Sequence, residues 1–106
     1  MMLRIHDTML GVIRGLRPVV AKIQAHDRGL ATQLREAASS VTLNISEGGG
    51  VRAGSRRERY STALGSARET GSCLDTAMAW GYVEAVDPYV LDQLDKVRAT
   101  LVKLVR

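Results

Sequence analysis

Apolar residues recur at alternating spacings of four and three in four separate stretches of this chain, and no other feature constrains its fold as much. In the first stretch Ile5, Met9, Val12, Leu16, Val19 and Ile23 form the seam, with Ile13 and Val20 widening it. In the second, starting near Asp27, Leu30, Leu34, Ala37, Val41 and Ile45 share one face before Gly48-Gly49-Gly50 stops the pattern. The third keeps Tyr60, Leu64, Ala67, Gly71, Leu74 and Met78 in register as far as Trp80, with Gly81 beyond it. The fourth aligns Val90, Leu94, Val97, Leu101 and Leu104. This spacing puts apolar side chains on one side of an α-helix, and that side must be buried against something. No stretch alternates with period two over a useful length, so the chain reads as all-α. Four helices of roughly 18–24 residues joined by short connections prefer antiparallel neighbours, hence an up-down-up-down four-helix bundle about 30 Å long. With 106 residues there is room for one such core, so residues 1–106 read as a single domain.

Local signals punctuate the helices. Ser55-Arg56-Arg57-Glu58 has the form of a capping box, in which the Ser55 hydroxyl accepts from the Glu58 amide and the Glu58 carboxylate reaches back. Asp87 reads as the cap of the fourth helix, with Pro88 in the first turn where its missing donor is not needed. Pro18 falls inside the first helix and predicts a kink or a break near Arg14. The third helix is crowded with Ala63, Gly65, Ser66, Ala67, Gly71, Ser72, Ala77 and Ala79. An interior glycine costs ~1 kcal/mol against alanine, a cost that close approach of another helix would offset. That helix belongs either to the same bundle or to another subunit.

Several function classes are excluded at this stage. No apolar run approaches the length of a membrane span, and residues 1–9 carry Arg4, His6 and Asp7 with no apolar signal core, so a cytoplasmic protein is expected. One cysteine, Cys73, allows neither an intrachain disulfide nor a cysteine-based zinc site. His6 and His26 stand near opposite ends of the first helix, about 30 Å apart, and His26 reads as an exposed turn residue. No Glu-x-x-His pair and no HExxH, P-loop or dinucleotide-binding motif occurs. The glycines at 48–50 follow a helix and lack the phosphate-binding lysine. Cys73 has no histidine near it in sequence and reads as a small, partly buried side chain. Glu47 is expected as a helix-end charge and Glu69 as half of an ion pair. The expectation is therefore no enzyme, no metal and no cofactor.

Charge is more informative. The chain carries 15 basic and 11 acidic residues, a net +4, and the surplus is uneven. Residues 1–26 hold Arg4, Arg14, Arg17 and Lys22 against Asp7, while residues 51–70 hold Arg52, Arg56, Arg57, Arg59 and Arg68 against Glu58 and Glu69. Arg52, Arg56, Arg57 and Arg59 crowd the loop and first turns of the third helix. The guanidinium fork suits phosphate oxygens, and helix N-termini favour anions. These four, with Arg14 and Arg17 on the first helix, are the candidate contacts to a nucleic-acid backbone. The only aromatics are Tyr60, Trp80, Tyr82 and Tyr89, too few for a stacking sheet or an immunoglobulin-like sandwich, and this favours backbone contact over base reading.

Longer motifs carry a resemblance. Gly29-Leu30-Ala31-Thr32-Gln33-Leu34-Arg35-Glu36-Ala37-Ala38-Ser39-Ser40, followed by Asn44-Ile45-Ser46-Glu47-Gly48, resembles the second-helix signature of a family of four-helix bundle proteins. That family includes the 23S ribosomal RNA intervening-sequence proteins and the accessory variability determinant (Avd) of diversity-generating retroelements. Ser55-Arg56-Arg57-Glu58 with Ala63-Leu64-Gly65-Ser66-Ala67-Arg68-Glu69 resembles its third-helix signature, and Trp80-Gly81-Tyr82 its closing turn. The likeness covers roughly residues 27–83. Thr42 stands where family members often carry proline, the aromatic-rich opening is missing, and Pro18 lies inside the first helix. The resemblance implies a homopentamer with a basic surface, binding RNA or DNA and, in Avd-like members, a reverse transcriptase. By the same analogy Arg56, Arg57 and Arg59 contact nucleic acid, while Asn44, Glu47, Glu69 and Gly65 hold helices or subunits together. Two functions are thus expected: an oligomeric RNA-binding accessory bundle, or a protein-interaction adaptor without nucleic-acid binding.

Overall fold

Residues 4–106 are described by a computed structural model containing α1 (Arg4–Gln24), α2 (Arg28–Gly49), α3 (Ala53–Ala79) and α4 (Pro88–Leu104), and no strand among them. Each helix packs on its neighbours in the chain, and α1 also packs on α4, so the contacts are those of a four-helix bundle. Its extents are 42 × 24 × 20 Å.

The core follows the four-three seams. Met9, Val12, Leu16 and Ile23 of α1, Leu34, Val41 and Ile45 of α2, Leu74 of α3, and Val97 and Leu101 of α4 are all but sealed from solvent. Full burial of one such side chain is worth ~1.5–3 kcal/mol. The small residues of α3 divide by position. Ala63, Ala67 and Ala77 are buried in the bundle, whereas Gly65, Ser72 and Ala79 are exposed. A Cβ added at Gly65 would meet nothing, so no neighbouring helix of this chain accounts for that glycine.

Of the kink or break expected near Arg14, the break does not occur, and the expected start of α3 is corrected. α1 runs unbroken from Arg4 to Gln24 through Pro18. Pro18 and Arg14 are exposed while Leu16 and Val19 are buried, so the carbonyl deprived of its donor opens onto solvent and packing on the other face holds the helix together. The capping box at Ser55 does not form, because α3 begins at Ala53, after Arg52, and has no side-chain cap. The Arg56 guanidinium sets this earlier start. Its Nε donates to the Gly48 carbonyl at 3.1 Å and its Nη2 to the Val51 carbonyl at 3.1 Å, while the Arg56 amide donates to the Arg52 carbonyl at 2.7 Å. This fastens the first turn of α3 to the end of α2.

The glycine run stops α2 as expected, the helix ending at Gly49 with Gly50 as its C-cap. Gly48 has a second task, because a Cβ there would collide with the Tyr60 ring and glycine admits the close approach of α3. The other turns behave as their residues dictate. Asp27 accepts from the Leu30 amide at 2.9 Å and Asp87 from the Tyr89 amide at 2.9 Å, capping α2 and α4. α3 ends with Gly81 at φ +77°, where the Gly81 amide donates to the Met78 carbonyl and the Tyr82 amide to the Ala77 carbonyl. That pair of bonds is the Schellman motif, which favours glycine because its left-handed position is strained for a side chain.

Candidate nucleic-acid interface

The start of α3 projects Arg52, Arg56, Arg57 and Arg59, all exposed, and the fold adds cations from a distant part of the chain. The Arg57 Nη2 donates to the Arg106 main-chain oxygen at 3.2 Å, which brings Lys103 in the last turn of α4, and Arg106 just after it, beside the first turns of α3. Arg4 at the start of α1 lines a cleft with Lys96, Thr100 and Leu104 of α4. One end of the bundle thus gathers Arg4, Arg52, Arg57, Lys103 and Arg106. Sequence reading passed over Lys103 and Arg106. Their signal is topological: the end of the fourth helix of a bundle falls near the start of the third.

The field at this end is reinforced by the backbone. α3 has no acidic residue in its first turn and no side chain capping it. The free amides and the positive end of the helix macrodipole therefore face the same region as the arginines. Glu58 in the second turn and Glu47, paired with Arg59, offset part of this charge, and the first turn itself carries only positive features, which favour an anion.

The four arginines picked out from the sequence are not equivalent. Arg56 spends its donors on the Gly48 and Val51 carbonyls. Arg59 forms an ion pair with Glu47 at 3.0 Å, both side chains about half exposed. Arg57 makes one bond and remains exposed, and Arg52 has no side-chain partner among the described residues. Arg14 and Arg17 do not join the group. Arg17 lies about 20 Å along α1 from Arg4, on a groove of about 390 Å³ between α1 and α2 that it shares with Arg35.

Glu47 stands in the last turn of α2, as expected, and it is also the glutamate paired with arginine, whereas the ion pair expected of Glu69 does not form among the described residues. Asn44 donates to the Ser40 carbonyl at 2.9 Å and hydroxyl at 3.0 Å, within α2. The bond between helices is one step further on, where the Ser66 hydroxyl donates to the Ser40 hydroxyl at 2.8 Å. Cys73 is buried rather than partly buried, and burial first, then the Glu69 charge, pushes its thiol above the ordinary range. Such a thiol is a poor nucleophile at neutral pH.

Among the described residues there is no cluster of three or more potential metal ligands, and no helix is long and apolar enough to cross a membrane. The family described as 23S rRNA-intervening sequence protein matches the chain over residues 17–103. No curated protein and no solved structure matches it.

Proposed function

This chain belongs to the 23S rRNA-intervening sequence protein family, and from that premise we propose that it is a non-enzymatic, oligomeric bundle that binds RNA through phosphate contacts at its arginine-rich end. The observation that carries the reading is the meeting of Arg52 and Arg57 with Lys103 and Arg106 around an uncapped helix N-terminus. Contacts of this kind position a backbone without reading sequence, so binding is strongly salt-dependent and weakly selective.

In this proposal the helices run up-down-up-down. The pairs Glu47–Arg59 and Ser40–Ser66 support opposed directions for α2 and α3, and Arg57–Arg106 with Gly71–Arg98 support the same for α3 and α4. Assembly as a homopentamer is part of the reading and would repeat the basic end around a ring, adding avidity. The exposed Gly65, with open space above it, is a place for a second subunit to approach. Action beside a reverse transcriptase is a narrower form of the proposal and rests on likeness to the accessory variability determinants alone. The adaptor reading, in which the bundle docks a protein and no RNA, is favoured by the large apolar side chains left exposed, Leu43, Trp80 and Tyr89.

Fluorescence anisotropy with a short labelled RNA tests the central claim. Arg52→Glu with Arg57→Glu is expected to weaken binding at least tenfold at low salt and to flatten the salt dependence, with helical circular dichroism unchanged. Wild-type affinity in the double variant would overturn it. Light scattering should give a mass near five times the 11.5 kDa chain, and a single-chain mass removes the ring.

A further inference from the structure

A cleft of about 500 Å³ lies between the start of α1 and the second half of α4, at the arginine-rich end of the bundle. Ile5, Ala99 and Leu104 give it an apolar lining, Arg4 and Lys96 are its cations, and no carboxylate lines it. Lys96 is paired with Asp92 at 3.5 Å, both side chains exposed, whereas Arg4 has no ion-pair partner among the described residues. Asp7, one turn along α1, lines the adjoining hollow with Tyr89 and Gln93 instead. Arg4 is therefore the unspent cation of the cleft, and Lys103 and Arg106, both exposed, continue the positive surface on either side of Leu104.

One hydroxyl of the cleft is unspent as well. A helical threonine can turn its hydroxyl to a carbonyl of the preceding turn. Thr8, Thr62, Thr70 and Thr76 do so, Thr8 donating to the Arg4 carbonyl at 3.2 Å. Thr100 makes no such bond among the described residues, although it is half-buried and lines the cleft. Its hydroxyl can donate or accept. An occupant that satisfies this lining needs an apolar face, a polar edge and a negative charge close by. An aliphatic chain leaves Thr100 unmet, and a free phosphate leaves Ile5 and Leu104 uncovered. A nucleobase on its sugar–phosphate strand supplies all three when it is unpaired, because a paired base keeps its faces stacked inside the duplex.

We propose that this cleft takes one unpaired nucleobase of a bound RNA, with Thr100 bonded to the base edge and Arg4 to the adjoining phosphate. The inference rests on the RNA-binding reading and narrows it: the RNA held at the basic end is single-stranded. A single hydroxyl in an apolar slot tells a base from no base and does little to tell one base from another, so the bundle reads strandedness and not sequence.

Fluorescence anisotropy at low salt with the full-length protein compares two labelled strands, decauridylate and the same strand made of reduced abasic riboses. Both carry the same phosphates, so a difference reports on the bases. Decauridylate is expected to bind about fivefold tighter. Ala99→Leu fills the cleft from an exposed position and should bring decauridylate down to the level of the abasic strand at unchanged circular dichroism. Thr100→Val, which removes the hydroxyl and keeps the shape, should reduce the difference about twofold. Equal binding of the two strands by wild type, or a difference that survives intact in both variants, overturns the inference and leaves the RNA-binding reading standing. Binding of neither strand overturns both. Tighter binding of an alternating leucine–glutamate decapeptide than of decauridylate, lost in Ala99→Leu, assigns the cleft to an acidic protein segment and overturns the inference too.

Discussion

At one end of the bundle arginines close the connection between α2 and α3, and at the other end aspartates and the stacked rings of His26 and Tyr82 close the turns into α2 and α4. Arg56 donates to carbonyls at the end of α2, and Arg57 donates to the Arg106 main-chain oxygen beyond α4. Asp27 and Asp87 accept from amides at the starts of those same two helices. In α2 and α4, then, cations meet the negative ends of the macrodipoles and carboxylates meet the positive ends. α3 is the exception. Its positive end lies among arginines and carries no cap, so the charge arrangement that suits two helices leaves a third unsatisfied. That mismatch is why the two ends differ as surfaces: the N-terminus of α3 has no capping carboxylate, whereas those of α2 and α4 have one each.

The largest expected effect lies in the packing beneath the basic end. Gly48→Ala forces a methyl group against the Tyr60 ring, and overpacking of this kind costs ~1–3 kcal/mol. A urea titration should show the loss as a lower midpoint, and an unchanged midpoint would mean that α2 and α3 approach less closely than described. Next come the two kinds of closure. Arg56→Ala and Asp27→Ala should each lower stability by ~1 kcal/mol, one through lost bonds to carbonyls and the other through a lost cap. If thermal melts show a cost for Asp27→Ala and none for Arg56→Ala, the arginine does not close its end and becomes available to a ligand.

The smallest effect concerns Cys73, which lies in α3 between the two ends. Its thiol holds the proton more tightly in the folded chain than in the unfolded one, through burial and then the Glu69 charge. The resulting stability is fully present below the unfolded thiol value of about 8.5, and it is lost as pH rises through the higher folded value. Stability should therefore fall more steeply above about pH 9 in wild type than in Cys73→Ala, as read by denaturant midpoints. Parallel curves for the two proteins would show that this thiol is not shifted.

Much of the fold was legible because helix seams are a local property. Leu34, Val41 and Ile45 bury together since residues three and four apart share a side of any α-helix, whatever the helix later packs against. Asp27 and Asp87 were readable as caps for the same reason, as each cap reaches only two or three residues along the chain. Ser55 misled because an equally local signal lost to a bond across the connection, from Arg56 to Gly48. The glycine run at 48–50 was readable as the end of α2, but the contact of Gly48 with a facing ring was not, since it depends on where Tyr60 packs. Of the candidate site, the cluster at the start of α3 was visible as a run of arginines. The division of labour within it was not, since the partners Gly48, Glu47 and Arg106 are 8, 12 and 49 residues away from Arg56, Arg59 and Arg57.

By itself, then, the four-three spacing determined four amphipathic helices with known inner faces, while longer motifs on two of them carried the resemblance to a family. Spacing along one helix is set by 3.6 residues per turn and needs no knowledge of its neighbours. Only the tertiary structure decided that Lys103 and Arg106 join Arg52 and Arg57, that Glu47 and not Glu69 is the paired carboxylate, and that His26 stacks on Tyr82. Those outcomes depend on which helix ends meet, and side chains of modest interaction energy take the partners that packing of the core brings within reach.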